Sequence, residues 1–257
     1  MVCVDYADEG SLLSLDSMAG TDFREELRLS SVQLNLLDDK RIPVAVASGC
    51  LIDYHGKRLL LTVAHATSRQ GNWAVQMRYI PGRGTENYPL GAMHFLAKAS
   101  LTAPALQGVD FSYVEVPATL QPLRQDVVSK DVIRSETPIT VHTPSLGDLP
   151  LPTANYGFCG MVLPTHEKHF GDLYVGGELL IYSGLTYSRT ENDYHVFSLP
   201  IEHPGHRNFE GCSGAPVMSE TGALVGLVCK GCEESNEISA ISVRAYKVAI
   251  DILVEAL

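Results

Sequence analysis

Three polar residues, each joined to a short apolar run, constrain this chain more than any other feature. LLLTVA (Leu59 to Ala64) ends at His65, Asp110 opens FSYVEV (Phe111 to Val116), and Ser213 lies in GCSGAP just ahead of Val217 and Met218. They are 45 and 103 residues apart, so any fold that lets them work together must bring three distant points of the chain into one cleft. A serine hydroxyl is a poor nucleophile at neutral pH and needs an imidazole within hydrogen-bond reach to take its proton. A carboxylate on the far side of the ring holds the tautomer and stabilises the imidazolium that forms. Each member of such a set belongs beside a rigid apolar element, and here each has one. The glycines around Ser213 permit a tight turn that aims successive N–H groups at one point. The turn Gly211, Cys212, Ser213 is therefore the expected oxyanion hole, with the amides of Gly211 and Ser213 as donors.

The rest of the chain reads as strands and turns. Leu27 to Leu37, Pro43 to Ile52 and Arg58 to Val63 are expected strands joined by DDKR (Asp38 to Arg41) and DYHGK (Asp53 to Lys57), short links of hairpin type. Trp73 to Ile80 is another. Asn155 to Gly160, Glu178 to Ser188, Tyr194 to Leu199 and Gly222 to Lys230 carry the same pattern, with RTEND (Arg189 to Asp193) as a turn. Between them the proline-dense stretch from Pro117 to Pro152 is the expected connection between two halves. Only the end changes period: Ala245, Val248, Ala249, Ile252, Leu253 and Leu257 recur at helical spacing, predicting one amphipathic helix over 244–257.

The chain resembles the trypsin/chymotrypsin-fold serine peptidases from about residue 29 onwards. SGCLI (Ser48 to Ile52) ahead of LTVAH (Leu61 to His65) is similar to a pattern of bacterial glutamyl endopeptidases and high-temperature-requirement proteases, and Asp110, Phe111, Ser112 resembles their Asp-apolar-Ala/Ser. The resemblance implies an all-β fold of two antiparallel six-stranded barrels, chymotrypsin-like, with a C-terminal α-helix. It divides the chain into an N-terminal extension (1–28), a first barrel (29–122), a connection (123–152), a second barrel (153–243) and the helix (244–257). It implies a serine endopeptidase that forms an acyl-enzyme on Ser213 with His65 and Asp110, needs no cofactor and acts on protein or peptide substrates. GLVCKG (Gly226 to Gly231) would be the edge strand that receives the substrate, with Arg207, Val228, Cys229 and Lys230 as substrate-binding residues. A buried guanidinium at Arg207 would favour an acidic side chain, whereas Glu233, Glu234 and Glu237 would attract a basic one.

The departures from that family matter as much. Cys212 stands where G-D-S-G-G-P has Asp, and Ala66 where secreted vertebrate members carry a cysteine. Activation by a cleaved N-terminus is therefore not expected, and an enzyme active without cleavage or switched on by a protein partner fits better. Cys212 is also a rival nucleophile, but Ser213 with Gly214 behind it holds the motif position. Cys229 and Cys232 form a C-x-x-C pair without a second ligand pair at metal-site spacing, so no metal site is expected. His203 and His206 lie near the serine turn as loop residues or substrate contacts. Asp5, Asp8, Glu9 and Asp16 read as a solvated extension.

The net charge of −11 leaves no excess of Lys and Arg for nucleic-acid phosphates or for an anionic membrane surface. No apolar run approaches the ~18 residues of a membrane span. The opening MVCVDYADEG is acidic where a secretory leader would be basic. The six cysteines form no familiar disulfide framework, and a cytoplasmic, reducing setting is expected. The alternative to an enzyme is a pseudo-protease, a peptide-binding module whose three residues are out of alignment.

Overall fold

The fold was determined as a computed structural model, which describes residues 16–99, 106–129, 131–169, 172–205 and 209–256. A helix, α1 (Asp16–Ser30), leads into a β-rich body. The N-terminal half contains β1 (Val32–Leu37), β2 (Pro43–Tyr54), β3 (Lys57–Thr62), a short helix α2 (Ala64–Thr67), β4 (Asn72–Ile80), β5 (Gly84–Pro89), β6 (His94–Lys98) and β7 (Gln107–Val116). A hairpin of β8 (Leu123–Ser129) and β9 (Val132–Pro138) and the two-residue β10 (Val141–His142) follow. The C-terminal half contains β11 (Asn155–His169), β12 (Asp172–Glu191), β13 (Tyr194–Ser198), β14 (Pro216–Ser219), β15 (Leu224–Cys232) and β16 (Glu237–Ser242). A 3₁₀ turn (Arg244–Tyr246) and helix α3 (Lys247–Ala256) close the chain.

The C-terminal half closes as the expected six-stranded barrel, in the order β11-β12-β13-β16-β15-β14. The N-terminal half differs from a six-stranded barrel. Its sheet runs β5-β4-β1-β2-β3-β7-β6, with β10 as an eighth strand, and among the described residues β5 and β6 are not paired with each other. The long β2 makes this possible: Pro43 to Gly49 pairs with β1, and Cys50 to Tyr54 pairs with β3. The chain leaving the β8–β9 hairpin then lies parallel to β2, Val141 opposite Leu51 and His142 opposite Ile52.

Three leucines in a row explain how the strand before His65 is fixed. Leu59, Leu60 and Leu61 are all fully buried, because β3 is covered on both faces. Leu60 faces the N-terminal core with Leu34, Leu51 and Val75. Leu59 and Leu61 face a second core that both halves share, with Phe111, Met161, Leu227, Ile241 and Tyr246. A third core of Tyr156, Phe158, Phe197, Val217 and Val228 fills the C-terminal barrel.

Two expectations need correction and one gains detail. The segment from Leu27 begins as helix, and the strand starts only at Val32; Leu27 is fully buried in the shared core. The stretch 123–152 carries the β8–β9 hairpin and β10. In α3 the buried stripe is Ile250 and Val254, following Tyr246, while Val248 and Ile252 are exposed. The rotation of the helix is set by Tyr54 of β2, whose hydroxyl donates to Asp251 (2.6 Å) and accepts from the Lys247 ammonium (2.8 Å). Asp5, Asp8 and Glu9 lie outside the described residues, as does the side chain of Asp16.

Candidate active site

His65 lies in α2, three residues beyond the buried end of β3 at Thr62, and Asp110 lies in β7 beside it. α2 is pinned by the Thr67 hydroxyl, which donates to the Val63 carbonyl (3.0 Å) and lies 3.0 Å from the Ser112 hydroxyl of β7. Asp110 accepts from the His65 backbone N–H (2.9 Å), and its two oxygens lie 2.9 and 2.8 Å from His65 Nδ1. On the other side of the ring, Nε2 is 3.0 Å from Ser213 Oγ. With the proton on Nδ1 directed at the carboxylate, Nε2 is left to accept from the serine hydroxyl.

The electrostatics of Asp110 follow from these contacts. Burial pushes its carboxyl up, but the hydrogen bonds from the His65 ring and backbone, the ring's charge and the neighbouring Cys229 thiol outweigh burial and hold it below its ordinary value. Cys229 responds oppositely: burial first, and then the Asp110 charge, push its thiol up.

The serine turn is clamped from the N-terminal half. The Ser48 backbone N–H donates to the Ser213 carbonyl (2.8 Å), the Ser48 hydroxyl donates to the Gly211 carbonyl (2.7 Å), and the Thr62 hydroxyl donates to the Ser48 carbonyl (2.7 Å). Two glycines allow this approach. Gly211 (φ 102°) and Gly214 (φ 89°) occupy left-handed backbone, where a Cβ would run into the Met161 carbonyl and the Ser48 carbonyl respectively. The Cys212 amide is used inside the turn, donating to the Phe209 carbonyl (3.1 Å), whereas among the described residues the Gly211 and Ser213 amides have no acceptor.

These residues open on a cleft of about 630 Å³ lined by His65, Asp110, Ser213, Gly211, Cys229 and Lys230, with Ala45, Val46, Tyr194, Phe209 and Glu210 around them. Of the expected substrate-binding residues, Cys229 and Lys230 line the cleft. Val228 does not offer its side chain, which is fully buried in the barrel core. Arg207 and His206 lie outside the described residues. His203 is buried behind the cleft, its ring 4.9 Å from that of Phe209. The Cys212 side chain also points into the barrel core, where burial and then Cys159 push its thiol well up, so it offers no thiolate to the cleft. None of the described cysteines is in a disulfide, and no group of three or more metal-ligating side chains occurs among the described residues. No helix among them is long and apolar enough to cross a membrane. Ser48 and Thr62 were visible only as part of the SGCLI and LTVAH motifs, and nothing in their residue type marks the carbonyls they hold.

No family model matches the chain, and no curated protein matches it. Solved structures do. The serine endoprotease from Yersinia pestis superposes with a TM-score of 0.56 at 13% identity, over 95% of this chain and 68% of that one. GrC gives 0.55 at 15% identity, over 90% and 96%. Neuropsin, a serine protease expressed in the limbic system of mouse brain, gives 0.52 at 13%, over 86% and 93%. At this identity the likeness defines the fold, which is chymotrypsin-like.

Proposed function

We propose that the chain is a serine endopeptidase that cleaves extended peptides through an acyl-enzyme. Ser213 Oγ attacks the scissile carbonyl carbon as its proton passes to His65 Nε2. The oxygen of the tetrahedral intermediate takes up negative charge against the Gly211 and Ser213 amides. Collapse breaks the C–N bond, His65 hands the proton to the leaving amine, and water repeats the sequence to free Ser213. Asp110 orients His65 and stabilises its charged form. The observation that carries this reading is the continuous path from Ser213 Oγ through His65 (3.0 Å) to Asp110 (2.8 Å) at the mouth of an open cleft.

Treatment of the intact protein with a fluorophosphonate tests the reading. A single phosphonyl adduct on Ser213 is expected, lost in Ser213→Ala and slowed severely in Asp110→Asn, which by analogy with other triads costs on the order of 10⁴ in turnover. A folded protein that takes no label and releases no product from a peptide library would overturn it in favour of a peptide-binding module.

A further inference from the structure

Among the described residues, strand β15 has one partner beyond Val228. β16 continues beside it as far as Cys232 opposite Glu237, whereas β14 reaches only to Leu227 opposite Pro216. Among the described residues the other edge of Cys229 to Cys232 is therefore unpaired, and its first three residues, Cys229, Lys230 and Gly231, line the cleft. A register shift between Val228 and Lys230 alters the alternation of the strand, and the adjacent residues Cys229 and Lys230 both line the cleft. Cys229 is buried against Asp110, while Lys230, paired through its backbone with Ser239 of β16, is exposed, and its ammonium makes no hydrogen bond or ion pair among the described residues. Two other cations of this half are engaged, Arg189 by Glu191 and Glu237, and Lys247 by Asp251. The acids of the β15–β16 turn are not part of the cleft lining; Glu237 is held by Arg189 and Glu234 accepts from the Cys232 thiol.

We propose that Lys230 reads an acidic side chain on the substrate, at the residue that falls opposite it when the segment preceding the scissile bond adds to the open edge of β15. This rests on the peptidase reading above. A strand added antiparallel places the side chain opposite Lys230 on the same face, with Cβ atoms about 4.5–5.5 Å apart, where opposite charges attract and like charges repel. The net charge of −11 opposes an acidic substrate only at long range. That field is screened beyond about 8 Å at physiological salt, so the local ammonium decides the preference. Glu210, which also lines the cleft, precedes the Gly211 turn instead of lying on β15 and acts on a different substrate position.

Incubation with a proteome-derived peptide library, followed by sequencing of the released termini, tests this. Among the four residues preceding the cleaved bond, one position is expected to favour Asp and Glu over Lys and Arg by about three- to tenfold, the scale of a partly exposed ion pair. The preference shrinks as salt is added, disappears in Lys230→Met and inverts in Lys230→Glu, but persists in Glu210→Gln. A charge preference that is the same in wild type and Lys230→Glu overturns the assignment while leaving the peptidase intact. Absence of both cleavage and fluorophosphonate labelling fells the peptidase reading itself, and this one with it.

Discussion

The Ser48 hydroxyl sits 163 residues from the carbonyl it holds, that of Gly211. Its removal leaves a buried carbonyl without a donor, a cost of about 1–3 kcal/mol that falls on the orientation of the oxyanion turn. Ser48→Ala is therefore expected to lower kcat by about tenfold with KM nearly unchanged; steady-state kinetics check this, and a change confined to KM would contradict it. A different residue contributes to acid sensitivity. His195 of β13 is buried, with Nδ1 2.9 Å from the Thr190 hydroxyl and Nε2 without a partner, and burial holds its pKa at about 4 against 6.5 for a free imidazole. As pH falls through 6.5 the unfolded chain takes the proton first, so the His195 contribution to stability is flat above that value and declines from there to about 4. Thermal melts at pH 7.5 and 5 should show a smaller pH-dependent drop in His195→Phe than in wild type. His65, Asp110 and Ser213 were legible in the sequence because each residue type carries its own chemistry. Ser48, Thr62 and Met161 were not, since what they touch is backbone of another segment.

Among elements, α1 shows why a period can mislead. Leu27 and Leu29 alternate with polar neighbours, as Val32, Leu34 and Leu36 do in the opposite phase, so the whole run reads as one strand. The helix prevails because Phe23 and Leu27, one turn apart, pack into the shared core, with Leu27 pressed against Gly157 of β11. Its end is fixed from the N-terminal half: the Thr140 N–H donates to the Leu29 carbonyl (2.9 Å) and the Arg124 guanidinium to the Ser31 carbonyl (2.7 Å). Leu27→Ala should then destabilise the protein by about 2–4 kcal/mol, read from urea unfolding; a loss under 1 kcal/mol would mean that α1 is a dispensable extension. The prolines show another limit. Pro122 and Pro138 were read only as marking the connection between two halves; they stand at the limits of the β8–β9 hairpin, where a missing N–H costs little. The β11 and β12 arms run longer than expected because their ladder resumes past an irregularity between Val162 and Thr165.

At the scale of the molecule, the two halves are bound by a core neither owns. Phe111, next to Asp110, stacks on Tyr246 ahead of α3 (5.3 Å between ring centroids), and the Tyr246 hydroxyl donates to Asp193 in the β12–β13 turn (2.6 Å). Lys98 of β6 reaches the same Asp193 carboxylate. The cleft is thus the rim of a shared interior, and holding Ser213 near His65 requires both halves to be folded at once. That coupling has a measurable consequence, because the single tryptophan, Trp73, lies in β4 of the N-terminal sheet with its ring N–H donating to the Arg69 carbonyl (3.1 Å). Phe158 belongs only to the C-terminal barrel core. Phe158→Ala should destabilise that barrel by about 3–5 kcal/mol. If the halves unfold together, the Trp73 fluorescence midpoint in urea moves down by the same amount as the far-UV circular dichroism midpoint. A Trp73 transition that stays at its wild-type midpoint would mean that the N-terminal sheet stands alone, and that the site is assembled by docking of two independently stable domains.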